Sequence, residues 1–193
     1  MCYGCHATAA VSGYHLQLDK MIPGISCEGC HGAGADHSDA MEKGKSADLH
    51  IFNPGSLAPG DLNDFCGSCH RTALAEKMQH VRGVQNVRFQ GYRLSRSRCY
   101  ASADRRISCI GCHNPHKPLD RQAGTYDTKC LACHMAQPQS ATARPQPPSA
   151  LPCPVARRDC VTCHMPKIEI PEAHAAFSDH WIRIVKPGAP YPE

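Results

Sequence analysis

Hydrophobic residues along this chain seldom keep a regular period for long. A 3.6-residue repeat holds over Thr72–His80 and predicts a helix there. The stretch Trp181–Val185 (WIRIV), followed by PGAPYPE, predicts a short strand or an extended arm ending in turn-forming residues. Pro and Gly punctuate nearly everything else. Gln137–Pro154 is rich in Pro, Ser and Ala and reads as an extended surface excursion, a spacer in its simplest role. No run approaches the roughly eighteen continuous apolar residues of a membrane helix, so no transmembrane segment is expected. The pattern predicts a mainly irregular fold with short α-helices and little β, forming a single domain over residues 1–193.

Composition sharpens this picture, because the 193 residues include only 4 Phe and 1 Trp but 14 Cys and 13 His. Something other than side chains must fill the interior. The cysteine spacing says what. Cys-x-x-Cys-His occurs six times: at Cys2, Cys5 and His6; Cys27, Cys30 and His31; Cys66, Cys69 and His70; Cys109, Cys112 and His113; Cys130, Cys133 and His134; and Cys160, Cys163 and His164. Two thiols one helical turn apart can add to the two vinyl groups of a haem, and the adjacent His then ligates the iron. Six haem c groups are therefore expected, stacked as the core, with short helices and coil wrapped around them. Structural zinc is the weaker reading, since it needs four convergent ligands and paired knuckles normally lack a His after every second Cys.

Seven histidines remain outside the motifs: His15, His37, His50, His80, His116, His174 and His180. Six irons need at most six distal ligands, so the census favours bis-His, low-spin iron over an open catalytic face. His116, three residues after His113, is too near to reach round its own porphyrin and must serve another haem. The same holds for His37, which follows His31 through a turn eased by Gly32 and Gly34. Met135 and Met165 directly follow motif histidines and are barred from their own irons in the same way. Cys99 and Cys153 belong to no motif, and a disulfide between them is expected in an oxidising compartment.

Haem attachment of this type implies an extracytoplasmic setting: periplasm, cell surface or extracellular space. The chain opens Met1-Cys2 without a charged and apolar leader, so a signal peptide is expected to lie outside this numbering. The formal charge of +4 is mildly basic, but about twelve propionates against about six net positive ferric centres bring the holo-protein to roughly −2, which argues against a nucleic-acid partner.

The strings YGCHATAA, CEGCHGAGADH, HIFNPGSL, FCGSCHRT, NVRFQGYRLSRSRCY, ISCIGCHNPHKP, YDTKCLACH, CPVARRDCVTCHMPK and AFSDHWIRIV together resemble one family. It is that of the bacterial multihaem c-type cytochromes related to the nitrifiers' tetrahaem cytochrome, often fused to tetratricopeptide repeats. The resemblance implies that His37, His116, His174 and His180 are distal ligands and that His50 stands in a matching string. His15 and His80 fall outside the matched pattern, and one of them is surplus.

The expectation from motifs and resemblance together is an electron conduit rather than an enzyme. Its partners are other cytochromes or redox proteins, and copies of itself in a homo-oligomer or filament. The alternative is a nitrogen-oxide oxidoreductase with one open haem, which no motif supports by carrying Lys in place of His. A structural module using haem as a staple shares every motif with the conduit.

Overall fold

Every Cys-x-x-Cys-His string folds as a helical turn. The structure, a computed structural model, describes residues 2–45, 49–134, 152–186 and 188–192. The chain divides into two compact units, Met1–Leu57 and Ala58–Glu193.

In the first unit the order is α1 (Tyr3–His6), β1 (Ala7–Thr8), β2 (Val11–Ser12), β3 (His15–Leu16), β4 (Ile22–Pro23), α2 (Cys27–His31) and α3 (Ala35–Glu42). β1 pairs antiparallel with β4, Thr8 opposite Ile22, and β2 pairs antiparallel with β3, Ser12 opposite His15. Gly13, at φ 61°, makes the turn between β2 and β3. The buried hydroxyl of Thr8 donates to the Gly24 carbonyl at 3.0 Å and accepts from the Ser26 amide at 2.9 Å, fastening the approach to α2. The expected turn after His31 is present: Gly32 ends α2 at φ 77°, and the Gly34 amide donates to Glu28 Oε1 at 2.8 Å.

In the second unit the order is α4 (Pro59–His70), α5 (Ala73–Gln79), α6 (Gln90–Ser95), α7 (Cys109–Cys112), α8 (Asp127–His134), α9 (Cys160–His164), β5 (Lys167–Ile170) and β6 (Ala175–Ser178). The helix expected over Thr72–His80 is α5 with its two caps. The Thr72 hydroxyl accepts from the Ala75 amide at 3.0 Å, and His80 stops the helix in the left-handed region at φ 50°. α4 is longer than a turn entering its motif, and Pro59 in its first turn fits because that position has no intrahelical donor to lose. α6 crosses close to the end of α4: the Tyr92 amide donates to the Arg71 carbonyl at 3.2 Å, and a Cβ at Gly91 would lie 2.9 Å from that oxygen. β5 and β6 form an antiparallel hairpin with Ile170 opposite Ala175.

The motif helices share capping groups. Asp127 opens α8, yet its carboxylate accepts from the amides of Asp159 at 2.7 Å and Cys160 at 2.9 Å, so it also caps α9. The Cys160 amide, first among these contacts, holds the Asp127 carboxyl below the ordinary carboxylate range.

Among the described residues the apolar core is thin. Leu62, Val87, Phe89, Tyr92 and Ile170 are buried in the second unit, and only alanines Ala7, Ala10 and Ala40 among apolar residues in the first. Tyr14, Leu18, Leu74, Met78 and Ile184 lie exposed instead. A chain wrapped around large apolar discs distributes its side chains in this way. The segment Trp181–Val185 is the extended arm of the two expected forms, and the strand lies earlier, at β6. The arm packs back on the second unit: Tyr191 stacks on the buried Arg93 guanidinium at 4.6 Å, and the Pro192 carbonyl accepts from it at 3.2 Å. Most of the proline-rich excursion, residues 137–151, lies outside the described residues, as does Met135.

Two measurements test these local causes. Gly91→Ala should lower the stability of the haem-loaded protein by about 1–3 kcal/mol, the usual cost of overpacking against backbone, read as an earlier thermal transition. Asp127 has a depressed folded-state pKa, so its stabilisation is present above the ordinary carboxylate pKa and is lost as pH falls through the folded value. Asp127→Asn should therefore be less stable than the wild type at pH 7, with the difference shrinking below about pH 4, as followed by acid unfolding.

Candidate functional site

Cysteines three residues apart on one helical turn point to the same side, and the following histidine lies beside them. This arrangement recurs at α1 (with Cys2 as its N-cap), α2, the end of α4, α7 (with His113 as its C-cap), the end of α8, and α9. The fourth motif shows why a small residue occupies its second spacer position. A Cβ at Gly111 would lie 2.7 Å from the carbonyl oxygens of both Arg105 and Arg106, and the Gly111 amide donates to Ser108 Oγ at 3.2 Å. Asn63 ties this motif to the third, its Oδ1 accepting from the Cys109 amide at 3.1 Å.

Four histidines have Nδ1 against a backbone carbonyl: His31 on Phe52 at 2.8 Å, His37 on Leu49 at 2.6 Å, His164 on Arg183 at 2.8 Å and His180 on Ser178 at 3.0 Å. A carbonyl oxygen only accepts, so Nδ1 carries the hydrogen and Nε2 keeps its lone pair. This is the tautomer and the anchoring that a metal-ligating imidazole takes. The donor set thus fits haem iron, and it does so at both motif and non-motif histidines.

The His113 and His180 rings lie with centroids 6.2 Å apart, tilted by 41° to one another, and Tyr126 packs edge-on against His113 at 5.4 Å. Burial pushes both imidazoles below the ordinary histidine range, and His70 nearby adds to the effect at each. They therefore stay neutral near pH 7, the form that ligates metal.

His50 (φ 45°), His80 (φ 50°) and His174 (φ 48°) are left-handed, three of the six non-glycine residues with positive φ among the described residues. Such a backbone costs on the order of 1 kcal/mol for a residue with a Cβ. His116 follows an Asn-Pro turn in which Asn114 Oδ1 accepts from the His116 amide at 3.0 Å. His15 is exposed on β3.

Motif cysteines of the second unit meet in pairs. The Cys109 thiol donates to Asn63 Oδ1 at 3.1 Å and lies beside Cys66; their interaction draws Cys66 down to about 7 and pushes Cys109 up. Cys130 and Cys160 also lie near one another; burial pushes both thiols up, and the Asp127 carboxylate raises Cys160 further. The expected Cys99–Cys153 bridge is corrected: both are free thiols. Cys99 lies half-buried near Cys112, Cys130 and Cys133, and burial raises its pKa, whereas Cys153 hydrogen-bonds the Val155 and Ala156 amides and His164. Each thiol has a different haem motif for a neighbour.

Arg93, Asp179 and Arg183 escaped the sequence reading, although they connect these histidines. Asp179 carried a signal, an acidic residue directly before His180. Arg93 carried none, being 86 residues from its partner.

The family model described as cytochrome c554 and c-prime matches residues 1–32. The chain is 26% identical over 176 residues to the multiheme cytochrome MtrA of Shewanella baltica (strain OS185), covering 86% of this chain and 45% of that protein. It thus spans less than half the length of this relative. No solved structure matches. Among the described residues no helix is long and apolar enough to cross a membrane. The helical motifs, the carbonyl-anchored imidazoles and these two likenesses together support a multihaem c-type cytochrome.

Proposed function

We propose that this chain carries six covalently attached haem c groups and serves as an extracytoplasmic electron carrier, its two units acting as one hexahaem cytochrome. The opposition of His113 and His180 supports this most strongly. Imidazole nitrogen binds a first-row metal at about 2 Å and lies about 1 Å from its ring centroid, so two imidazoles on opposite faces of one iron sit about 6 Å apart. The 6.2 Å separation fits His113 as proximal and His180 as distal ligand of the fourth haem.

Bound haem iron supplies a one-electron ferric/ferrous couple, and bis-imidazole ligation holds it at low potential without an open face. The chain's part is attachment, orientation and spacing. The two cysteines of each motif would hold a haem through thioethers, each S–H adding across one vinyl group with no net oxidation. Cys66 lies near Cys109 and Cys130 near Cys160, so the third and fourth motifs, and the fifth and sixth, would hold their haems close to one another.

The histidines divide to match. The second unit carries four motifs and four spare histidines, His80, His116, His174 and His180, while the first carries two motifs and three, His15, His37 and His50. With ligands drawn from within each unit, His80 serves as a ligand and the surplus lies in the first unit. The left-handed backbones of His50, His80 and His174 favour those three over His15. Cys2 is exposed and α1 buries none of its residues, so the first motif offers a face to redox partners or to a second copy in a homo-oligomer or filament. The resemblance to the nitrifiers' tetrahaem cytochromes belongs to this proposal, as does the electron-carrier rather than enzymatic role.

Intact-mass measurement of the holo-protein should show six haem additions, and EPR or Mössbauer spectra should be dominated by low-spin iron. The reduced wild type should bind at most one carbon monoxide per chain, and His180→Ala one more. Four or fewer haems, or two or more high-spin irons in the wild type, would overturn the reading, and the second result would revive a nitrogen-oxide oxidoreductase.

A further inference from the structure

The His113–His180 opposition and the anchoring of His164 both lead back to one buried carboxylate. Asp179 and Arg93 are fully buried and ion-paired at 2.8 Å. Asp179 Oδ1 accepts from Arg93 Nε at 2.9 Å and from the Trp181 amide at 3.0 Å, while Oδ2 accepts from Arg93 Nη2 at 2.8 Å and Arg183 Nη1 at 2.6 Å. Four donors fill the accepting capacity of the carboxylate.

The bond to the Trp181 amide closes the chain over His180, the residue between. Ser97 clamps the same segment, its hydroxyl donating to the His180 carbonyl at 3.3 Å and accepting from the Ile182 amide at 2.8 Å. The ring of His180 is then turned by its own Nδ1 bond to Ser178. On the other side, the Arg183 guanidinium that grips Asp179 also donates to the Trp181 carbonyl at 2.9 Å. The Arg183 backbone binds His164 twice: its carbonyl accepts from His164 Nδ1 at 2.8 Å, and its amide donates to the His164 carbonyl at 3.2 Å.

We propose that Asp179, held by Arg93 and Arg183, is a positioning residue shared by two haems, setting the distal imidazole His180 of the fourth and the proximal imidazole His164 of the sixth. It touches neither iron. This rests on the reading of His180 as an axial ligand.

The experiment compares holo-proteins of Asp179→Asn, His180→Ala and the wild type by carbon monoxide titration of the reduced form and by low-temperature EPR of the oxidised form. His180→Ala should add one carbon monoxide site per chain. Asp179→Asn, with every haem still attached, should add one as well and should also shift the g-values of a second low-spin haem. A purely structural carboxylate would lower thermal stability and leave the carbon monoxide stoichiometry and g-values at wild-type values, which would overturn the proposal. If His180→Ala adds no site, the ligand reading itself fails and the role at the fourth haem falls with it. If His180→Ala adds a site while Asp179→Asn adds none and shifts no signal, only the positioning role fails. Should Asp179→Asn yield no holo-protein, Arg183→Leu decides, since it leaves the Arg93–Asp179 pair in place. A shift in the g-values of one haem with unchanged carbon monoxide binding supports the proposal, and an unaltered spectrum overturns it.

Discussion

The second unit depends on one buried charge. Arg93 is sealed between aromatic faces, its guanidinium 4.8 Å from the Trp181 ring and 4.6 Å from the Tyr191 ring, and bonded to Asp179, Asn86 and the Pro192 carbonyl. Tyr191 in turn donates to Asn86 Oδ1 at 2.8 Å. Burying two charges is expensive, and a pair of this kind adds little net stability over an apolar equivalent, yet breaking it by removing one partner costs about 3–5 kcal/mol. Its value is specificity: a bidentate fork accepts its carboxylate in one geometry. A chain with a thin apolar core has few other means of fixing register between α6 and a C-terminal arm 86 residues away.

The same economy explains the short elements. Ordinary domains bury side chains against side chains, so helices and strands must be long enough to present a continuous apolar face. Among the described residues the helices are mostly one or two turns, and six of the nine hold a Cys-Cys-His triplet. Capping groups such as Ser108, Thr72 and Asp127 stabilise ends rather than faces, which matters more in a helix of four residues than in one of fourteen. Large apolar residues stay outward, including Leu74 and Met78 on α5 and Ile110 within a motif.

How much of this was legible in the sequence follows from the range of the interaction concerned. The six helical turns and α5 are local, set by spacing and by caps within three residues, and so could be read directly. The Gly32 turn and the Asn114–His116 turn are equally local. The hairpin β5–β6, the reach of α4 and the arm after His180 depend on tertiary packing and gave only weak patterns. The disulfide expectation went wrong because compartment and parity say that two cysteines can pair but nothing about whether the fold brings them together. The left-handed histidines left no trace, since only glycine announces positive φ in a sequence. The ion pair was invisible for the same reason as the disulfide was misjudged: long-range geometry is not written in composition.

The Cys66–Cys109 contact has a consequence for biogenesis. A thiol drawn down to about 7 is substantially thiolate at neutral pH, and Cys109 lies beside it. In an oxidising environment two such thiols can be coupled by a thiol oxidant to a cross-motif disulfide, losing two electrons and two protons. One such event would disable the attachment points of two haems at once. Thioether formation ahead of tertiary collapse, on a chain kept reduced and open, would avoid this loss.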